Sequence, residues 1–94
     1  MQIQLTPKSL IDQARGKSGQ TFGEIATELG RNQTRISEWR SGKAKPEASE
    51  IAYFAEKAGL PVLETVAELE AQLRPAYAGI WAKALKEIEQ WRKL

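Results

Sequence analysis

The sequence predicts an all-α protein of five or six helices. Apolar residues recur every three or four positions along most of the chain, and no segment alternates with a period of two after the first five residues. Short polar segments that contain glycine or proline separate these stretches, which is typical of helix caps and turns. The 94 residues are enough for one domain with an appended arm.

The first helix is expected to begin at Thr6 and Pro7. Threonine caps free N–H groups, and proline suits the first helical position because its missing N–H would be unbonded anyway. Gly16 is the expected end of this helix. The residues predicted to face inward are Leu10, Ile11 and Ala14.

A pair of short helices follows, joined by a glycine turn. Thr21 and Glu24 have the spacing of a capping box, in which each side chain accepts a hydrogen bond from the other residue's backbone N–H. Gly30 is expected to end this second helix, because glycine adopts the left-handed conformation of a tight turn. Asn32 is a suitable N-cap for the third helix, which Gly42 ends. The residues predicted to face inward are Phe22, Ile25, Ala26, Leu29, Ile36 and Trp39.

The second half of the chain predicts further helices. One runs from about Glu47 to Ala58, and Pro61 opens the next. Pro75 either kinks this fifth helix or begins a sixth. The residues predicted to face inward before Pro75 are Ile51, Phe54, Ala55, Ala58, Val62, Leu63, Val66, Leu69 and Leu73.

The second and third helices together have the spacing of a helix-turn-helix motif. Ala26 is small enough for the two helices to approach closely, and Gly30 makes the turn. Ile36 and Trp39 anchor the later helix to the core. In this motif the later helix enters the major groove of DNA.

Residues 21–59 resemble the phage-repressor (Xre/Cro-like) helix-turn-helix family, part of the lambda-repressor-like fold. The matching residues align without a gap and are Glu24, Ile25, Ala26, Leu29, Gly30, Ile36, Ser37, Trp39, Ser41, Gly42, Lys43, Lys45, Pro46, Ile51, Ala55 and Gly59. The chain departs from the family at Phe22, where a phosphate-contacting glutamine is usual, and at Arg31, where an apolar residue usually packs. The resemblance implies a DNA-binding domain over residues 1–73, followed by an extra amphipathic helix over residues 74–94.

Which residues of the third helix face outward follows from helix geometry, since each residue is rotated by about 100° from the one before it. Ile36 and Trp39 lie about 60° apart on one side. The opposite side carries polar groups suited to the edges of bases, from which we predict that Gln33, Thr34, Ser37 and Glu38 read bases. By resemblance, Gln33 and Thr34 occupy the family's principal base-reading positions and Glu38 a secondary one. The alternative is an ordinary solvated helix face.

Positive charge is concentrated in the first half of the chain. Residues 1–46 hold eight lysine or arginine residues and four acidic ones, whereas residues 47–94 hold six and eight. Helix N-termini and cations beside a recognition helix contact phosphates. The residues predicted to contact the DNA backbone are Lys17, Gln20, Thr21, Asn32, Arg35, Arg40, Lys43 and Lys45. Taken singly, each cation is also explained as an ordinary surface residue.

Residues 74–94 carry an apolar and aromatic stripe at helical spacing. Its members are Tyr77, Ile80, Trp81, Ala84, Leu85, Ile88 and Trp91. They either cover the core of the domain or pair with the same helix of a second copy. We favour the second interpretation, because the family's minimal domain is complete near residue 70 and because tryptophan and tyrosine are enriched where partners are anchored.

The composition excludes several classes of function. Without histidine or cysteine there is no imidazole general base, no Cys/His zinc site and no thiol chemistry, and no catalytic, metal, cofactor or small-molecule site is predicted. No apolar run approaches the roughly 20 residues of a membrane span, and the N-terminal segment lacks the features of a signal peptide, so we expect a cytoplasmic protein.

We therefore expect a prokaryotic or phage regulator, by resemblance a repressor. It would bind double-stranded DNA as a homodimer and act by occupying an operator. The alternative is a protein-interaction module, such as an antitoxin-like or phage accessory protein, that works through the C-terminal aromatic helix.

Overall fold

Every regular element in the computed structural model, which describes residues 4–93, is helical. This confirms the all-α prediction. No helix in that range combines the length and the apolarity that crossing a membrane requires. The elements are α1 (Pro7–Ser18), α2 (Phe22–Leu29), α3 (Gln33–Ser41), α4 (Ala48–Ala58), α5 (Val62–Leu73), a 3₁₀ turn (Pro75–Tyr77) and α6 (Ala78–Arg92).

The side chains predicted to cap the first three helices do so. Thr6 caps α1. The Thr21 hydroxyl accepts a hydrogen bond from the Glu24 N–H at 3.1 Å, and the Glu24 carboxylate accepts one from the Thr21 N–H at 2.9 Å. The Asn32 side chain accepts a hydrogen bond from the Arg35 N–H at 3.0 Å. Local sequence therefore fixes where α2 and α3 begin.

The end of α1 differs from the prediction. The helix continues through Gly16 to Ser18, and Gly19 is the C-cap, with a left-handed φ of 74°. The Gly19 N–H donates to the carbonyl of Arg15 at 3.0 Å. Both glycines tolerate a helix end, and the chain uses the one that lies just before the Thr21 cap of α2.

The core lies where the first five helices meet. α1 packs along α4, and α4 packs against α5. The rings of Trp39 and Phe54 meet edge to face, with centroids 6.0 Å apart, and join α3 to α4. The predicted inward residues that are fully buried are Leu10, Ile11, Ala14, Ile25, Ala26, Ile36, Trp39, Ile51, Phe54, Ala55, Ala58, Val66 and Leu69.

Two predictions for α5 and α6 are resolved by the structure. Leu63 does not face inward but is 69% exposed, because it lies about 90° around the helix from the buried line of Val66 and Leu69.

Pro75 begins a 3₁₀ turn and a separate sixth helix, α6, rather than a kink. α6 packs on α5 through the half-buried Trp81 but has no fully buried residue of its own.

Two alanine substitutions test where α1 ends. Gly16 is helical and Gly19 is left-handed, and neither has a heavy atom within 4 Å of where a Cβ would stand. We expect Gly16→Ala to raise the free energy of unfolding by about 0.4–1 kcal/mol, because alanine restricts the unfolded chain. Gly19→Ala is expected to lower it by about 1–2 kcal/mol, because alanine is strained at this φ. Urea denaturation measures both, and equal effects would contradict the observed helix end.

Candidate nucleic-acid interface

One side of α3 stands open at the surface. Gln33, Thr34 and Ser37 are exposed there, and Glu38 is half-buried. The burial of Ile36 on the opposite side sets the rotation of the helix about its axis. The structure thus brings the four residues predicted to read bases onto one surface.

The N-terminal ends of α2 and α3 lie side by side. The side-chain oxygen of Gln33 is 3.6 Å from the position that a Cβ on Gly23 would occupy, and the Thr21 hydroxyl is 3.8 Å from the same point. The Gln33 amide therefore lies beside the first turn of α2. Thr21 caps α2 and Asn32 caps α3, so both predicted backbone-contacting residues lie at helix N-termini, where free N–H groups favour anions.

An arginine pair lies on one flank of α3. Arg40 donates from Nε to Asp12 at 2.9 Å, and its guanidinium carbon is 5.0 Å from the centroid of the Phe22 ring. The guanidinium carbon of Arg15 is also 5.0 Å from that centroid. Burial raises the pKa of Asp12, but hydrogen bonds from Arg40 and Lys8 outweigh it and hold that pKa below its usual value. Phe22 thus orients two guanidinium groups by cation–π contact. Arg15 was not among the residues predicted from the sequence for this surface.

A cleft of about 210 Å³ lies on the other flank of α3. Arg31 contributes two nitrogens to one carboxylate oxygen of Glu50, Nε at 3.2 Å and Nη2 at 3.1 Å. The other Glu50 oxygen accepts a hydrogen bond from the Glu47 N–H at 2.7 Å. The lining residues are Arg31, Arg35, Trp39, Lys45, Glu47 and Glu50. Arg31 therefore neutralises a buried carboxylate.

The loop between α3 and α4 carries two predicted backbone-contacting residues, Lys43 and Lys45. Both are exposed, and neither forms an ion pair within residues 4–93. Arg35, on α3, forms an ion pair with Glu38, in which Nη1 lies 3.6 Å from a carboxylate oxygen. Arg74 donates to the carbonyl of Pro46 at 3.1 Å and so holds the end of this loop from the far end of α5.

The side chains of Lys17 and Gln20 contact residues away from the α3 surface. The Lys17 ammonium lies 3.1 Å from where a Gly59 Cβ would stand, so this side chain lies over the end of α4. The Gln20 amide donates to Glu28 at 2.8 Å. Neither residue lines the cleft beside Arg35. A phosphate contact from the Gln20 amide nitrogen would replace its hydrogen bond to Glu28.

An apolar groove of about 310 Å³ lies between α5 and α6. Trp81 packs toward the core, whereas Ile80 is 66% and Trp91 75% exposed. An ion pair between Arg92 and Glu64 ties the end of α6 to α5. Of the predicted stripe, Tyr77 is also exposed, and three members are half-buried, namely Ala84, Leu85 and Ile88.

Comparisons of the chain with protein-family models, with curated proteins and with solved structures found no match. Within the part of the chain that the structure describes, no group of three acidic, histidine or cysteine side chains is arranged to hold a metal ion.

Glu28 has three hydrogen-bonding partners on the surface that joins α2 to α4. Tyr53 donates to it at 2.6 Å, Gln20 at 2.8 Å, and the Lys57 ammonium lies at 3.2 Å. These hydrogen bonds, that from Tyr53 most strongly, lower the pKa of Glu28 to about 2. Burial and the donation to Glu28 raise the pKa of Tyr53.

This cluster predicts an acid-dependent loss of stability. Because folding lowers the pKa of Glu28 from 4.5 to about 2, its stabilising contribution is complete above pH 4.5 and is lost as the pH falls toward 2. We expect the urea midpoints of the wild-type protein and Glu28→Gln to converge over this interval. In Tyr53→Phe, which keeps the carboxylate but removes one donor, the pKa of Glu28 is lowered less, so the loss should be smaller and should be complete at a higher pH. A wild-type-to-Gln difference that is independent of pH would contradict the assignment.

Proposed function

We propose that this protein is a cytoplasmic transcription regulator of the phage-repressor (Xre/Cro-like) type that binds double-stranded DNA by sequence. The observation that carries the proposal is the exposed polar side of α3, with Gln33, Thr34 and Ser37 at the surface between two groups of cations. The gap-free resemblance over residues 21–59 supports the same function.

In the proposed complex, α3 lies in the major groove. Gln33 pairs with an adenine through its amide, and Thr34 and Ser37 contact neighbouring base edges. Glu38 accepts a hydrogen bond from a cytosine amino group once Arg35 turns toward the backbone. The Arg35–Glu38 pair is partly exposed, and such pairs stabilise proteins little, so this exchange requires little free energy.

The cations around α3 supply affinity that does not depend on sequence. Lys43 and Lys45 reach one strand from the loop, and Arg40 lies on the opposite flank. Each phosphate neutralised adds about −0.9 to the slope of log affinity against log salt concentration. Regulation then follows from occupancy of a promoter, which represses transcription without any chemical step.

The base-reading role of Gln33 is tested on an operator selected from random DNA by the purified protein. We expect Gln33→Ala to weaken binding by about 1–3 kcal/mol and to relax the preference at one base pair. Gln90→Ala is the matched control, because Gln90 is an exposed glutamine on α6. Fluorescence anisotropy with operator variants measures both. Unchanged affinity and preference in Gln33→Ala would refute the assigned reading face.

We further propose that the regulator is a homodimer formed through α6. Ile80 and Trp91 are large apolar side chains left in solvent, and Leu63 extends their surface onto α5. A second copy of the same surface covers them all under twofold symmetry. Two α3 helices related in this way would read a palindromic operator.

The oligomeric state tests this part of the proposal. We expect light scattering to give twice the mass of one chain, and a double substitution, Ile80→Ala with Trp91→Ala, to give a monomer with the same helix content. Lys83→Ala, on an exposed residue of α6, is the control and should remain dimeric. A wild-type protein that is monomeric at every concentration measured would overturn dimerisation.

The exposed aromatic side of α6 also favours a second candidate function, a protein-interaction module. In that case Trp91 and its neighbours bind another protein, and the cationic surface around α3 has no DNA-binding role. A mobility shift with random duplex DNA at low salt separates the two candidates, because only the DNA-binding regulator produces one.

A further inference from the structure

The cleft beside α3 collects cations from three separate segments of the chain. Arg31 lies in the turn between α2 and α3, Arg35 lies on α3, and Lys45 lies in the loop that follows. Glu47 and Glu50 also line the cleft, so its formal charge is positive by one unit. Its volume of about 210 Å³ exceeds several times the roughly 30 Å³ that a water molecule occupies in the liquid, so it has room for a tetrahedral anion.

Arg31 is held in one orientation by a carboxylate that is itself fixed. The Glu50 side chain is only 8% exposed, and its two oxygens are occupied by Arg31 and by the Glu47 N–H. The Arg31 side chain is 51% exposed and uses Nε and Nη2 for this contact. A guanidinium group has five N–H donors, so the edge that carries Nη1 remains for a ligand. Fixing the group in advance reduces the entropy lost when an anion binds.

If α3 enters the major groove as proposed, the cleft faces one of the two DNA strands. Trp39, one of its lining residues, is buried and faces the core. At 100° per residue, Arg35 lies about 70° from the centre of the buried side of α3, between that side and the base-reading side. A helix in the major groove has a sugar-phosphate backbone on each flank, between its base-reading side and its buried side.

We propose that a phosphate group of the DNA backbone binds in this cleft, shared by Arg31, Arg35 and Lys45, with Glu50 acting as a positioning residue for Arg31. This inference rests on the proposed DNA-binding function and adds to it a specific phosphate site. It also gives Arg31 a role that the helix-turn-helix pattern does not assign.

The sharing of one phosphate has a measurable signature in the salt dependence. Removing one of the three cations weakens binding to all sequences alike. Removing Arg31 and Lys45 together lowers the magnitude of the slope of log affinity against log salt concentration by no more than about 0.9, because both neutralise one phosphate, which Arg35 still contacts. Two independent phosphates would give about 1.8.

The experiment compares Arg31→Gln, Lys45→Gln and their combination on one operator over a series of salt concentrations. Lys43→Gln is the matched control, because Lys43 is an exposed lysine of the same loop that does not line the cleft. The change that Lys43→Gln causes in the salt slope should add to the change caused by Arg31→Gln. A total slope change near 1.8 for Arg31 with Lys45, or an affinity for DNA that neither substitution lowers, would overturn the shared site.

A second set of variants separates binding from folding. Arg31→Gln leaves Glu50 buried without its partner, so the pair is also removed together as Arg31→Gln with Glu50→Gln, which should fold and still show the weakened binding. Glu47→Gln removes a negative charge from the cleft and is expected to tighten binding several-fold without altering sequence preference. Weaker binding by Glu47→Gln in a folded protein would contradict a phosphate site.

The source of the phosphate is distinguished by a titration with inorganic phosphate, followed through the Arg31 side-chain NMR signal. A wild-type protein that binds no DNA refutes the proposed function itself. A protein that binds DNA normally while the cleft variants leave its affinity for DNA unchanged refutes only the shared site. If inorganic phosphate shifts the Arg31 signal in that second case, the cleft binds a free anion and not the DNA backbone.

Discussion

The burial of Ile36 and Trp39 fixes how α3 is rotated, and the rest of the proposed interface follows from that rotation. The edge-to-face contact of Trp39 with Phe54 sets α3 against α4. With these two side chains inside, Gln33 and its polar neighbours must stand at the surface. A helix that carried the same polar residues without this anchor would rotate freely and present no defined face to a partner.

The arginines and the lysines around α3 differ in how they are held. Arg31, Arg35 and Arg40 each have a carboxylate neighbour, and two of those carboxylates come from other helices. Pairs of this kind contribute little stability when exposed, but they restrict where a planar guanidinium points. Lys43 and Lys45 have no carboxylate partner among residues 4–93, so their flexible side chains can adjust to a ligand. The surface thus combines oriented donors with adaptable ones.

The helices were predictable from sequence because their signals are local. The capping box of Thr21 and the glycine at position 30 lie within a few residues of the ends they determine. The predicted end of α1 at Gly16 was wrong, because glycine tolerates either a helical or a left-handed conformation and the use of Gly19 depends on where the next helix packs. The pairing of Arg31 with Glu50 and the stacking of Arg15 on Phe22 join residues on different elements. Sequence periodicity does not predict contacts between residues on different elements. The cleft beside α3 and the pair formed by Arg15 and Arg40 could therefore be found only from the structure.

Arg74 lies at the junction of α5 with the C-terminal arm and contacts the chain far upstream. Its guanidinium bonds both to Glu70 on its own helix and to the carbonyl of Pro46, directly after Lys45. A fragment that stopped at Leu73 would keep every helix that resembles the helix-turn-helix family. It would nevertheless lose the hydrogen bond from Arg74 that holds the loop between α3 and α4. Because Arg74 directly precedes the 3₁₀ turn and α6, its bond to Pro46 couples the position of the C-terminal helix to that of the loop between α3 and α4.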